Sequence, residues 1–332
     1  MLFEFDADQR LLRDTVREVT AKECPATVIR EIVDAGAEPD RLWKTYVELG
    51  WTELVEPEAT VELGIVLEGL GRATDPTPYL ATMTQFAPLA GDFAGTEGSG
   101  AAVFEGVTAT RDGDGWLLRG TASQVLDGDR CDQLAVVTAA GVFVVPARAV
   151  TTRRVQVFDP VLHVAEVTFD NVRVSDGDRA AGDPERARQL ALTGLALTTV
   201  GACQRILDLV LDHVRTRRQF DTPIGAFQAV QHKAADMHLA IERARALGYF
   251  AALCLAENDP RRKLAAAMAK ASAGECQSVV FRHGVQLFGA MGFTWENDLQ
   301  FAIKRAKAGE LLFGGAAVHR AVVAREYSAA RR

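Results

Sequence analysis

The residue types in Arg217-Arg218-Gln219-Phe220-Asp221-Thr222-Pro223-Ile224-Gly225-Ala226-Phe227-Gln228-Ala229-Val230-Gln231 could recognise a nucleotide. Arg217 carries a planar fork of donors that suits a pyrophosphate. The amide of Gln228 can hold an adenosine or ribose edge while Phe220 packs beside it. Taken alone, an Arg, a Phe and a Gln near a helix end are more often a solvated face and an ordinary core residue.

Two helices must position these side chains. Val200, Cys203, Ile206, Leu207, Val210, Leu211 and Val214 follow the spacing of an amphipathic helix. Asp221-Thr222-Pro223 and Gly225 interrupt it, and a second periodic run begins near Ala226 and continues through Ala235, Met237, Leu239 and Ile241 to about Leu255. The spacing therefore predicts a helical hairpin whose turn exposes Arg217, Phe220 and Gln228.

The rest of the chain reads as helices, then strands, then helices. Leu11, Leu12, Val16 and Val19 share a helical face over residues 7–22, and Pro25 ends that run. Further helices are predicted over 39–50, 60–72 and about 79–92, so the first domain reads as all-α. From about residue 99 the period changes to two, with strands predicted at 101–105, 115–119, 134–137, 142–145, 154–157 and 164–169. Asp112-Gly113-Asp114-Gly115 and Ala139-Ala140-Gly141 are hairpin signals between them, and the whole describes a small β-barrel or sandwich. Helices return near 184–218, 226–257, 260–288, 297–308 and 316–328. Asn258-Asp259-Pro260 marks an interhelical turn, with Pro260 expected at the first helical position.

With 332 residues the chain can bury large cores. Its 24% charged and 48% hydrophobic residues are ordinary for a soluble protein, and a net charge of -7 carries no basic footprint for nucleic acid. The five cysteines, at 24, 131, 203, 254 and 276, show no metal-ligand spacing and read as buried thiols of a reducing cytoplasm. Met1-Leu2-Phe3-Glu4-Phe5-Asp6 lacks the pattern of a secretory signal, and no apolar run is expected to reach membrane-spanning length. A cytoplasmic protein is the expectation.

Arg-x-x-Phe, Ile-Gly-x-Phe-Gln-x-x-Gln, Ala235-Asp236-Met237, Gln286-Leu287-Phe288-Gly289-Ala290-Met291-Gly292-Phe293-Thr294-Trp295-Glu296 and Val323-Ala324-Arg325-Glu326 together resemble the C-terminal domain of the acyl-CoA dehydrogenase family. The likeness is specific over 186–328 and looser before that. It implies a mostly α, α+β fold of three domains: an N-terminal α-helical domain (1–92), a middle β-barrel (93–182) and a C-terminal four-helix bundle (183–332) that contacts FAD and builds the oligomer. It also implies removal of two vicinal hydrogens from an acyl-CoA thioester. A Glu takes the α proton and the flavin takes the β hydrogen as hydride.

By the same resemblance, Arg217, Phe220, Gln228, Gln286, Leu287 and Gly289 are the cofactor-binding residues, and they reach FAD held mainly by the adjacent subunit. The catalytic side departs from the family pattern. Of the family's two positions for the base, one is occupied here by Phe313 and the other by Ala191, neither of which can accept a proton. Glu310, three residues from Phe313, is the nearest substitute, with Glu105 a second; Glu296 matches a position the family fills with Glu for structural reasons. Compared with the family pattern, the flavin-ring loop, Thr-Glu-Pro followed by Gly and Ser, is deleted between Ala102-Val103-Phe104-Glu105-Gly106 and Val107-Thr108-Ala109-Thr110. Thr96-Glu97-Gly98-Ser99-Gly100 is an alternative match ahead of the strand. Ala122 and Gln124 stand where the family places Lys and Trp, Ala290 replaces a glycine, and Gly315-Ala316-Ala317 lacks the usual Thr and Gln.

This combination resembles the short, base-less partner subunit of actinobacterial heteromeric acyl-CoA dehydrogenases that act on steroid side-chain thioesters. It implies a hetero-oligomer with a Glu-bearing subunit, whose interface uses the 260–288 and 297–328 helices. A self-sufficient homotetramer with a relocated base and a flavin-free structural or regulatory partner are the alternatives. No metal site is expected.

Overall fold

A computed structural model describes residues 4–91, 93 and 98–329. Thr96 and Glu97 of the alternative flavin-loop match lie outside the described residues, as does position 92, where the first domain was expected to end. The chain gathers into two compact units. The first comprises Met1–Ala35, Thr60–Asp75 and Leu192–Arg332, and the second Gly36–Ala59 and Pro76–Ala191.

In chain order the helices are α1 (Ala7–Glu23), α2 (Ala26–Ala35), α3 (Asp40–Glu48), α4 (Thr60–Ala73), α5 (Tyr79–Ala81), α6 (Ala87–Ala90), α7 (Pro184–Thr216), α8 (Gln228–Ala256), α9 (Arg262–Phe288), α10 (Leu299–Leu311) and α11 (Ala316–Ala329). Asp6 opens α1 with a reciprocal capping box to Gln9. Pro25 ends that run as anticipated, but α2 follows at once and was not predicted. One π-helical stretch, Thr82–Phe86, joins α5 to α6.

In the first unit α4 and α7 cross backbone to backbone. A Cβ on Gly71 would lie 2.1 Å from the Thr198 carbonyl oxygen, and one on Gly201 only 1.9 Å from that of Glu68. The two glycines therefore permit an approach that any side chain would block. α7, α8, α9 and α10 share a core in which Val200, Cys203, Ile206, Val210 and Val214 meet Met237, Ile241, Cys276, Val280 and Ile303. The alanines of α9 pack closely on Ala196, Ala251 and Cys254.

Three expectations are corrected here. α7 does reach membrane-spanning length and hydropathy, with a mean of 1.4 over its most apolar window, yet 78% of that window is buried, which makes it a core helix. Ala235 and Leu239 are exposed on α8, because only the stripe through Met237, Ile241 and Ala244 faces the core. Pro260 is not the first residue of α9: Asn258 turns the chain with φ 48°, the Asp259 carboxylate accepts from the Arg261 amide, and the helix starts at Arg262.

The second unit carries two four-stranded sheets. Their strands are β1 (Gly100–Val103), β2 (Val107–Asp112), β3 (Gly115–Leu126), β4 (Gln133–Thr138), β5 (Gly141–Pro146), β6 (Thr151–Val155), β7 (Val164–Val174) and β8 (Arg179–Ala180), in the orders β1-β4-β5-β8 and β2-β3-β7-β6. Both predicted hairpins are present, closing at Asp112 opposite Gly115 and at Thr138 opposite Gly141. β2 was not anticipated as a strand. Inward residues of both sheets, among them Val103, Leu118, Val136, Phe143 and Val167, form one core. All five cysteines are buried free thiols, and burial pushes Cys131 up to about 12.

Candidate functional site

Arg217 directly follows α7, and the chain then folds into a two-strand ribbon, β9 (Arg218–Gln219) and β10 (Thr222–Pro223). Gln219 pairs with Thr222, leaving Phe220 and Asp221 as the two turn residues, with φ of 52° and 61°. That is the geometry of a tight hairpin turn that favours Asn-Gly. A phenylalanine held left-handed there costs about 1–2 kcal/mol, and its ring is 89% exposed. Backbone strain and an exposed aromatic side chain coincide at this one residue.

The guanidinium of Arg217 is exposed and makes no hydrogen bond or ion pair with another described residue, whereas Arg218 next to it donates to the Asp221 carbonyl. Gln228 opens α8 with an exposed side chain. The C-terminal end of α9 comes to the same end of the bundle, because His213 in the last turn of α7 stacks on Phe288 with centroids 4.5 Å apart. Burial and the neighbouring Arg217 charge lower the His213 pKa. Gln286 is exposed there, Leu287 is buried as packing for the core, and Gly289 leaves the helix with φ 65°. The first unit thus gathers five of the six predicted cofactor residues as an exposed set, and assigns Leu287 to the interior.

Phe313 lies in the turn between α10 and α11, at φ 57°, followed by Gly314 at φ 92°. Two buried side chains hold this turn. Lys270 of α9, 1% exposed, donates to the carbonyls of Glu310 (2.9 Å) and Gly314 (2.8 Å). His319 of α11 donates from Nε2 to the Phe313 carbonyl at 2.9 Å, and its buried Nδ1 has no partner among the described residues. Burial pulls the Lys270 pKa down to about 8 and lowers that of His319. Neither residue was singled out from the sequence. The available signal was a lone lysine in the alanine-rich stretch Ala265–Ala273.

Glu310 does not point freely from this turn. Its carboxylate pairs with Lys307 at 2.8 Å and packs against Gly315, whose Cβ would come within 2.6 Å of Oε1. Ala191 is fully buried in α7. Glu105 is exposed in the short link after β1. Roughly 24 Å of α9, at about 1.5 Å per residue, separates Lys270 from Gln286, so the turn bearing Phe313 and the end bearing Arg217 occupy opposite ends of that helix.

In the second unit only residues 104–106 link β1 to β2, which leaves no room for a Gly- and Ser-rich flavin loop. Gly106 (φ 89°) and Gly120 (φ 137°) bring the end of this link into close backbone contact with β3. Ala122 is buried in the sheet core, and Gln124 sits exposed at a register shift with φ 63°. No aromatic side chain stands at these positions. The exposed donors of the first unit fit the phosphate and adenosine parts of a dinucleotide; β1, β2 and β3 do not fit the part of the pattern that holds a flavin ring.

Residues 190–328 match the acyl-CoA dehydrogenase C-terminal domain. Acyl-CoA dehydrogenase IpdE2 of Mycobacterium tuberculosis is 30% identical over 90% of this chain and 91% of its own length. The fold is shared with a chain of the ChsE4-ChsE5 complex from Mycobacterium tuberculosis (TM-score 0.89, 23% identity, 99% of both chains). It is shared too with the Tcur3481-Tcur3483 steroid ACAD (TM-score 0.85, 24% identity, 98% of both chains). Because the likeness to IpdE2 runs nearly end to end and the helix–strand–helix order is the same as in these structures, the chain belongs to the acyl-CoA dehydrogenase family, whose members are FAD-dependent flavoproteins.

Proposed function

We propose that this chain is the base-less subunit of a heteromeric acyl-CoA dehydrogenase, completing an FAD site whose catalytic Glu belongs to a partner subunit. The observation that carries this reading is the turn between α10 and α11. By the resemblance Phe313 stands at the base position, and the carboxylate of Glu310, at the end of α10, is held by Lys307. FAD, when bound, supplies the hydride acceptor for the β hydrogen. Arg217 and Gln228 of this chain would hold its phosphates and adenosine edge, with Gln286 and Gly289 at the same end of the bundle and Phe220 packing beside the adenosine. The α proton goes to the partner's carboxylate.

The fold of the ChsE4-ChsE5 complex supports a two-chain assembly, and the steroid ACAD neighbour supports a ring-bearing thioester as substrate. Exposed Leu311, Val318 and Tyr327 on α10 and α11 support an interface built from the last helices. On this reading the three-part division at 92/93 and 182/183 separates an N-terminal helical domain, a middle β domain without a flavin-ring loop and a C-terminal bundle for FAD contact and assembly, within a cytoplasmic complex.

Co-expression with a Glu-bearing acyl-CoA dehydrogenase subunit tests the proposal. A yellow complex that oxidises acyl-CoA is expected, with no flavin retained by this chain alone. A colourless, inactive mixture with every candidate partner would reject it. In the active complex Glu310→Gln is expected to leave turnover within about twofold, since the carboxylate serves Lys307 and the turn; loss of turnover would transfer the base role to Glu310.

A further inference from the structure

Beneath the crossing of α4 and α7 lies a recess of about 220 Å³, enclosed by α1, α2, α4, α7 and α10 of the first unit. The glycine-mediated approach of the two helices places Arg72, next to Gly71, beside Arg205, one helical turn after Gly201. Both residues line the recess. Ile29 and Phe301 form its apolar floor, with Cys24 beside them.

The charges do not balance. Arg72 donates from Nε and Nη2 to Asp208 Oδ2 at 3.1 and 2.6 Å, and the other oxygen of Asp208 accepts from Gln204. Asp298, which also lines the recess, is paired with Arg30 at 2.7 Å. Arg205 is half-buried, and no hydrogen bond or ion pair joins its guanidinium to another described residue. Burial and the like charge of Arg72 both oppose its protonated form, outweighing the attraction of Asp208, Asp298 and Asp212. A half-buried guanidinium with no hydrogen-bonded or ion-paired partner among the described residues, at a recess whose one lining carboxylate, Asp298, is already paired with Arg30, has donors left for an anion.

We infer that this recess binds a small carboxylate with a compact apolar body, its carboxylate seated between Arg205 and Arg72 and its body on Ile29 and Phe301. A guanidinium fork matches a carboxylate in two parallel hydrogen bonds. A phosphate dianion would bring two charges to one uncompensated guanidinium with two aspartates close by. The recess is separate from the hairpin bearing Arg217 and from the turn bearing Phe313, so the inference does not rest on the proposed role in dehydrogenation.

Isothermal calorimetry with benzoate, and in parallel with inorganic phosphate, tests it on the purified full chain or on its complex. Saturable one-site binding of benzoate is expected, with none of phosphate. Arg205→Gln should weaken benzoate roughly ten- to a hundredfold. Ala26→Leu, which fills the recess from its wall without touching a charge, should abolish binding and decides the matter if Arg205→Gln does not fold. Absence of saturable benzoate binding, unchanged affinity in both variants, or phosphate binding tighter than benzoate would each overturn the inference. Flavin content of the mixed complex is expected to stay the same in both variants.

Discussion

In a complex with a base-bearing partner, Arg217→Ala is expected to weaken FAD roughly ten- to a hundredfold. The estimate follows from the loss of charge-assisted, two-pronged hydrogen bonds worth about 1.5–3 kcal/mol, with about 1.4 kcal/mol per tenfold change. The folded chain should be indifferent to the substitution, because the side chain is exposed and engages no described neighbour. Arg217→Lys keeps the charge but not the planar fork and should fall between the two. Equilibrium dialysis of FAD against each complex, with thermal unfolding as the control, reads both effects. Unchanged FAD affinity in the alanine variant would remove Arg217 from the cofactor site and leave the exposed, strained Phe220 without its proposed neighbour.

The second large effect concerns Lys270 and depends on pH. Burial holds its pKa at about 8, against an ordinary 10.5, so the folded chain binds fewer protons than the unfolded chain between those values. Stability contributed by this group therefore rises with pH across the window from about 8 to 10.5, and the cost of burying the charge is present in full below it. The gain is at most about 3 kcal/mol, from about 1.36 kcal/mol per pKa unit. The neutral amine still donates to the carbonyls of Glu310 and Gly314, which Lys270→Met would leave unsatisfied. The destabilisation caused by Lys270→Met should thus be small near pH 7 and grow through the alkaline window. Urea unfolding of both proteins from pH 7 to 10.5 measures the difference and cancels the thiol titrations common to them. A difference that does not change with pH would mean that Lys270 stays charged throughout, with Glu310 as its counter-ion.

The sequence was sufficient for the features that local chemistry encodes. Period and punctuation located α7, α8 and their hairpin, both β-turns of the middle region and the turn bearing Phe313. The residue types alone exclude Phe313 and Ala191 as bases, since no packing can make those side chains accept a proton. α2 and β2 escaped because each is short and follows directly on a break in the pattern, Pro25 before α2 and Gly106 before β2. Leu239 and Leu287 show the limit of pattern: apolar spacing names a helix face, but only the partners of that face decide which residues meet water. Leu239, on the apolar spacing of α8, meets water, while Leu287, named with the cofactor residues, packs in the core.

What tertiary structure alone decided are proximities between distant positions. Lys270 and His319 converge on the carbonyls around Phe313, His213 stacks on Phe288 to bring Gln286 to the end that carries Arg217, and Gly71 and Gly201 let Arg72 lie beside Arg205. None of these follows from spacing along the chain. Each depends on which helix faces pack, and a buried charge or an unpaired guanidinium acquires its energetic meaning only from the neighbours that packing gives it.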